Sequence, residues 1–374
     1  MKISVSFPEG LKDQFLQEIH ELGIEPKNTS KRIMFFEVDI NSFYRICLNT
    51  RISYKVSREI ARFHCDDRIS LYKGIQEAVD WKLWLPPHKS FRIEVTGKTG
   101  KLNHSHFSAL QAKNSIIDFQ RNLWGKRSNV SIDSPDIPIS IHLYDGQAVV
   151  SLQADKNSLH KRGYKLSQGD APLKENIASG LIKMTGWNGS VPLIDLMSGS
   201  GTFLIEAAQI ALKIAPNLNK DFSFKNWFDY NNSKFIAEKN RVIKTQLLEE
   251  KFLYIHGCEI NHRVYLGAKR NINNVKLENI IRLSNQNFIN FLPPSTKGIA
   301  VVNPPYGKRM SDTESLKDLY DQLGKYAKKY LSGWDLWILS GSSELTQYLH
   351  LKCSRKFNIY NGGINCKWLR YRIN

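Results

Sequence analysis

The chain has 374 residues, 41% of them apolar and 24% charged, with a formal net charge of +18. This composition excludes a disordered polymer, and the length allows two or three domains that each bury a core. A basic excess spread over both halves favours a polyanionic partner, nucleic acid before a membrane surface.

The first residues, MKISVSFPEGLKDQF, lack the apolar core of a signal peptide, and no apolar run approaches the ~20 residues of a membrane span. Ile3, Val5 and Phe7 alternate as one face of a strand. Phe15, Ile19 and Leu22 follow at helical spacing, closed by Gly23. A second strand is expected over Ile33 to Val38 and a short helix around Phe43, Ile46 and Leu48. Residues 1–60 therefore read as a small α+β unit.

From 61 to 160 the pattern predicts a helix from Leu71 to Trp84, stopped by Pro86-Pro87, and a strand from Phe91 to Val95. A basic loop, Gly97 to His104, leads into a long helix over Phe107 to Trp124. Strands over Ile139 to Leu143 and Gln147 to Leu152 flank an Asp145-Gly146 turn. Lys98, Lys101, Lys113, Arg121, Lys126 and Arg127, with Lys161 and Arg162 of the following linker, are candidates for contacts to nucleic-acid phosphates. A solvated basic face is the competing reading of each. His104 and His106 have no third ligand nearby in sequence, and the five cysteines form no C-x-x-C pair. No metal and no disulfide framework is expected, as suits a reducing cytoplasm.

Residues 161–374 read as an alternating α/β domain. Asp170 is placed to cap a helix running to Met184, with Pro172 in its first turn. The segment Pro192 to Ala208, PLIDLMSGSGTFLIEAA, is a short apolar strand, a small permissive loop and an apolar helix. Such a loop at a strand's C-terminal end, opening a helix, suits a nucleotide-like ligand. It is not a phosphate P-loop, because no Gly-Lys-Ser/Thr follows. Residues 216–250 are polar and asparagine-rich around Trp227, Phe228 and Tyr230, and their role is not legible. A strand from Phe252 to Cys258 ends in Glu259, a helix runs from Val264 to Asn274, and a strand over Ile280 to Leu283 precedes Asn287. The apolar run Gly298 to Val302 ends in Asn303-Pro304-Pro305-Tyr306. A helix over Tyr320 to Leu331, a strand over Trp334 to Leu339 and a terminal hairpin around Asn361-Gly362-Gly363 complete the chain.

A buried strand ending in N-P-P-Y is the signature of methyltransferases that modify an exocyclic amine. Four ordered segments carry a closer resemblance: Gly169 to Glu175, DLMSGSGT, NPPYGKRM, and Tyr360 to Cys366. Together they resemble the THUMP-containing guanine-N2 methyltransferases of large-subunit (23S) ribosomal RNA. The resemblance implies a C-terminal class I, Rossmann-like domain (161–374), preceded by a ferredoxin-like subdomain (1–60) and a THUMP RNA-binding domain (61–160). It implies S-adenosylmethionine as cofactor, held by Asp195, Met197, Ser198, Gly199, Ser200, Gly201, Thr202, Glu259, Asn287 and Asn303. It gives Asn303, Pro304, Pro305 and Tyr306 the catalytic place. Glu259 would take the ribose hydroxyls and Asn287 the adenine amine, where the fold usually has Asp. Another departure is Ser198, where the family usually has Cys. A transfer-RNA guanine-N2 enzyme, a DNA adenine-N6 enzyme and a non-catalytic RNA-binding assembly factor are the alternatives.

Overall fold

The computed structural model describes all residues except 168–172, 248–252 and 306–312. The N-terminal half comprises β1 (Lys2–Ser6), α1 (Lys12–Glu21), β2 (Asn28–Thr29), β3 (Ile33–Glu37), α2 (Ile40–Asn49), β4 (Lys55–His64), α3 (Arg68–Ala78), α4 (Trp81–Trp84), β5 (Phe91–Gly97), α5 (Ser105–Trp124), β6 (Ile137–Tyr144) and β7 (Gln147–Gln153). Its strands form one sheet in the order β2-β3-β1-β4-β7-β6-β5. The joining strand, β4, was not anticipated, because Arg58, Glu59 and Arg62 break its alternation. It pairs antiparallel with β1 on one side and β7 on the other. It also crosses residue 60, so the units expected over 1–60 and 61–160 share a single sheet.

The helix expected from Leu71 to Trp84 is two helices. Val79 is extended, with φ −119° and ψ 126°, and the Asp80 side chain accepts from Lys82 N to start α4. The break buries Trp81 completely, and its Nε1 donates to Ile75 O at 2.7 Å. The expected hairpin turn is present, with positive φ at both Asp145 (43°) and Gly146 (71°).

The C-terminal half comprises α6 (Glu175–Thr185), β8 (Leu193–Asp195), α7 (Thr202–Ala211), α8 (Asn232–Lys244), β9 (Ile255–Cys258), α9 (His262–Asn274), β10 (Ile281–Ser284), β11 (Ile299–Val302), α10 (Thr313–Tyr330), β12 (Asp335–Ser340), β13 (Arg355–Asn361) and β14 (Ile364–Arg372). The sheet order is β10-β9-β8-β11-β12-β14-β13. The first five strands are parallel, and β14 runs antiparallel to β12. Every residue of β8 and β11 is buried, as parallel strands covered on both faces require. Helix α6 starts at Glu175 after Lys174, and the cap expected at Asp170 lies outside the described residues. No described helix is long and apolar enough to cross a membrane.

A fully buried carboxylate joins the two halves. Glu206 of α7 is fully buried and accepts from Tyr164 Oη at 2.9 Å and Ser179 Oγ at 2.5 Å. Arg162 lies 3.2 Å away, with a side chain only 2% exposed, and Arg51 of the N-terminal half lies at 3.9 Å. Burial, with Arg162 adjacent, pushes the Arg51 guanidinium down to about 10, so it stays charged at neutral pH. Arg162 also donates to Arg51 O at 2.6 Å. This corrects its expected role: an enclosed guanidinium bound to Glu206 is not presented to an RNA phosphate. Removing the carboxylate would strand two buried cations. Glu206→Ala is therefore expected to lose about 3–5 kcal/mol of stability, read by urea denaturation, whereas a loss below about 1 kcal/mol would show the junction relaxing around the charges.

Candidate active site

The glycine loop is built by short local bonds. Met197 N donates to Asp195 Oδ1 at 3.2 Å, and Gly201 N to Ser198 O at 2.8 Å. Ser198 N and Oγ both reach Cys258 O, at 2.8 and 3.1 Å, tying the loop to the end of β9. The hydroxyl that replaces the expected thiol is therefore part of the tie between the loop and β9. Gly199 and Gly201 adopt φ of 53° and 81°. A Cβ on Gly199 would meet nothing within 4 Å, so the space above it is open to a ligand. The loop ends where Gly201 caps α7, and Thr202 is buried as the first helical residue. Ser200 Oγ and Thr202 Oγ1 lie 3.2 Å apart.

Glu259 is 60 positions from Gly199, yet its Oε2 accepts from Gly199 N at 3.0 Å. Its Oε1 accepts from Asn261 N at 2.8 Å. Each oxygen retains a second lone pair, the acceptor set that a ribose diol needs. Strand register explains the meeting. Asp195 pairs with Gly257 on one side and Val301 on the other. Two residues further along, Glu259, Met197 and Asn303 stand level at the C-terminal edge of three adjacent strands. With strands ~4.8 Å apart, Glu259 and Asn303 flank the loop across roughly 10 Å. The order turns outward here, β9 one way and β11 the other, which is the switch point where open α/β sheets bind ligands.

Asn303 is half-buried, and its Oδ1 is shielded from solvent with no hydrogen-bond partner among the described residues. A buried acceptor left open in a strand-end cleft is costly unless a donor completes it. Pro304 is buried and Pro305 half-buried beside it, while Tyr306 lies outside the described residues. Asn287 caps the turn after β10, with Oδ1 accepting from Ile289 N at 3.2 Å. That use leaves one lone pair of the oxygen for another donor.

Three supporting residues escaped the sequence reading. Asn271 is fully buried, its Nδ2 donating to Ser200 O at 3.0 Å and Ser167 O at 2.9 Å. Asn285 Nδ2 donates to Glu259 O at 2.8 Å and Ile260 O at 3.1 Å. Glu206 anchors the loop's helix from below. For Asn271 and Glu206 the available signal was a polar residue on an otherwise apolar helix face.

The basic candidates are not one patch. Arg121, Lys126 and Arg127 line a cleft of about 700 Å³ together with Pro87, His88 and Gly125. Lys98 and Lys101 are exposed near the other end of α5, and Lys113 is half-buried between. At 1.5 Å per residue the helix separates the two groups by about 24 Å. Lys161 is exposed on the linker. Among the described residues no three His, Cys, Asp or Glu side chains group as metal ligands.

Asp195 is fully enclosed below the loop. Burial, with Glu259 nearby, pushes its carboxyl up to about 8. The unfolded value is ~3.9, so the folded state holds this proton more tightly. The resulting stabilisation is whole at acid pH and is lost as pH climbs from about 4 toward the folded value. Asp195→Asn cannot titrate, so its thermal midpoint should gain on the parent's between about pH 5 and pH 8. Thermal unfolding without ligand checks this, and parallel pH profiles for the two proteins would refute it.

Residues 162–370 match the model of the RMKL-like methyltransferase domain, and residues 70–153 match the THUMP domain. A candidate RNA methyltransferase of Synechocystis sp. is 36% identical over 97% of this chain and 94% of its own length. The ribosomal RNA large subunit methyltransferase K/L of Cellvibrio japonicus is 33% identical over 98% of this chain. The chain spans about half the length of that relative, 50%. Among solved structures, SMU.472, a candidate methyltransferase complexed with SAH, superposes with a TM-score of 0.88 at 25% identity, covering 100% of this chain and 98% of that one. A methylase candidate from Clostridium difficile 630 shares the fold with a TM-score of 0.89 at 24% identity, over 100% of this chain and 98% of its own. The chain thus belongs to the RMKL-like methyltransferase family, with a THUMP domain preceding the methyltransferase domain.

Proposed function

We propose that this protein transfers a methyl group from S-adenosylmethionine to the exocyclic N2 of a guanine in large-subunit ribosomal RNA. One observation carries the reading: the shielded Asn303 Oδ1, without a hydrogen-bond partner among the described residues and level with the glycine loop and Glu259. When bound, S-adenosylmethionine supplies an electrophilic methyl group. Glu259 accepts from the ribose hydroxyls, the loop from Met197 to Gly201 leaves room for the ligand over Gly199, and Asn287 offers an amide to the adenine edge. Asn303 Oδ1 accepts a hydrogen bond from the target amine. A guanine amine is a weak nucleophile because its lone pair is shared with the ring. An oriented acceptor draws positive charge off the nitrogen as it develops. Pro304 and Pro305 restrict the backbone that holds this acceptor. The THUMP half presents basic groups to the RNA backbone, and the K/L relatives' names give ribosomal RNA as the substrate class.

Asn303→Ala is expected to fold and to bind cofactor and RNA as the parent does, while single-turnover methylation of undermethylated ribosomal RNA falls by about 10²-fold. Parental turnover would refute the amine-orienting role, and a parallel loss of cofactor affinity would move Asn303 into the cofactor pocket. Glu259→Ala should weaken S-adenosylmethionine binding by roughly 10- to 100-fold in calorimetry, as befits charge-assisted bonds. Glu259→Gln, which keeps an acceptor oxygen for Gly199 N, should lose less. Equal affinity in all three proteins would remove Glu259 from the site.

A further inference from the structure

The segment between α7 and β9 belongs by chain order to the catalytic half, yet it packs on the N-terminal half. Asn217, 1% exposed, donates Nδ2 to Cys47 O at 2.9 Å and Thr50 O at 3.0 Å, closing the end of α2. Lys220 pairs with Asp155 at 2.7 Å. Phe224 and Trp227 each sit 5.4 Å from Phe43 of α2, centroid to centroid.

The far end of this segment reaches the wall of the basic cleft. Arg58 of β4 lies against two indoles that meet edge to face, its Cζ 4.7 Å from the Trp84 ring and 5.5 Å from the Trp227 ring. Its Nη1 donates to Asp229 Oδ2 at 2.7 Å. Lys89 Nζ donates to Asn226 O, and Asn226 Nδ2 to Asp136 O at 3.3 Å. Trp84 and Lys89 bracket Pro87 and His88, which line the cleft with Arg121, Lys126 and Arg127. One catalytic-half segment therefore holds the loop that shapes a cationic cleft of the N-terminal half.

We propose that residues 217–246 are a positioning element that selects the methylated nucleotide, by fixing the basic cleft relative to Asn303 through Arg58, Trp227 and Asp229. This rests on the reading of RNA methylation above. A phosphate held in the cleft and an amine held at Asn303 are two points on one RNA. Their separation decides which nucleotide reaches the pocket in reactive geometry. Reaction rate is steep in such alignment, so a shift of about 1 Å at the cleft costs rate and site choice before it costs binding. Arg58 suits this place because a guanidinium can sit over aromatic rings as a cation while its edge bonds a carboxylate.

The test compares the parent with Arg58→Ala, Arg58→Lys and Asp229→Asn, the last keeping the side chain's shape if Arg58→Ala folds poorly. Thermal midpoint, S-adenosylmethionine affinity, affinity for undermethylated large-subunit ribosomal RNA, single-turnover rate and methylated position are measured for each. Arg58→Ala and Asp229→Asn should keep both affinities within about twofold, lose about tenfold or more in rate, and spread methyl over neighbouring nucleotides. Arg58→Lys should recover part of the rate, since it keeps the charge beside Asp229. Folded Arg58→Ala or Asp229→Asn protein methylating the parental nucleotide at the parental rate overturns the positioning role alone. Loss of RNA affinity in proportion to rate also overturns it, making the segment part of the binding surface. A parent that binds cofactor and methylates no RNA overturns the functional reading itself.

Discussion

The site depends on the register of three parallel strands. Asp195 of β8 pairs with Gly257 of β9 and with Val301 of β11. That pairing brings Glu259, Met197 and Asn303 out of the sheet at one level. Slipping β11 by one residue would turn its side chains to the opposite face. It would take Asn303 from the cleft. The entirely buried sequences of β8 and β11 specify the register, since both faces of each strand are packed.

A second constraint acts beneath that edge. Helix α7 carries the glycine loop at its start and Glu206 one turn further in. Glu206 gathers Arg51, Arg162, Tyr164 and Ser179 from three separate stretches of chain. A buried ion cluster is weak evidence of stability, because desolvation offsets much of the attraction. Here its consequence is geometric. Breaking one partner leaves charge stranded, so the arrangement is held tightly. Asn271 extends the same wiring, joining the linker at Ser167 to the loop at Ser200. The linker that looked like an exposed basic connector is in large part an internal strap: the Lys165 side chain is 5% exposed, 3.6 Å from Glu175.

The motifs were legible because they are local. A strand, a Gly-Ser-Gly turn and a helix within 17 residues need no distant partner to be recognised, and neither does an apolar run ending in Asn-Pro-Pro. Periodicity likewise placed α5, α9 and the β6–β7 and β13–β14 hairpins close to where they lie. Strand β4 was missed because it is a half-buried central strand carrying charges: Glu59 and Arg62 pair with each other, and the partner of Arg58 sits far away in the chain. Arg58 needs Asp229, Trp84 and Trp227 before its presence in a sheet makes sense. The asparagine-rich stretch before β9 was opaque for the same reason. Its aromatic side chains pack against α2, nearly two hundred residues earlier in the chain.

The alternating α/β order, the glycine loop, the strand ending at Asn303 and a basic N-terminal half were legible in the chain alone, and the methyltransferase fold came with the family resemblance its motifs carry. These follow from short-range pattern, where each residue's neighbours in sequence are also its physical context. Which charges face solvent and which face each other emerges only when the chain folds. Arg162 and Lys161 are adjacent in sequence and equally basic, yet Arg162 is enclosed against Glu206 and Lys161 is exposed. A charge carries no mark in sequence of whether its counterion is water, RNA or a buried carboxylate. That is settled when the two halves of the chain close on each other.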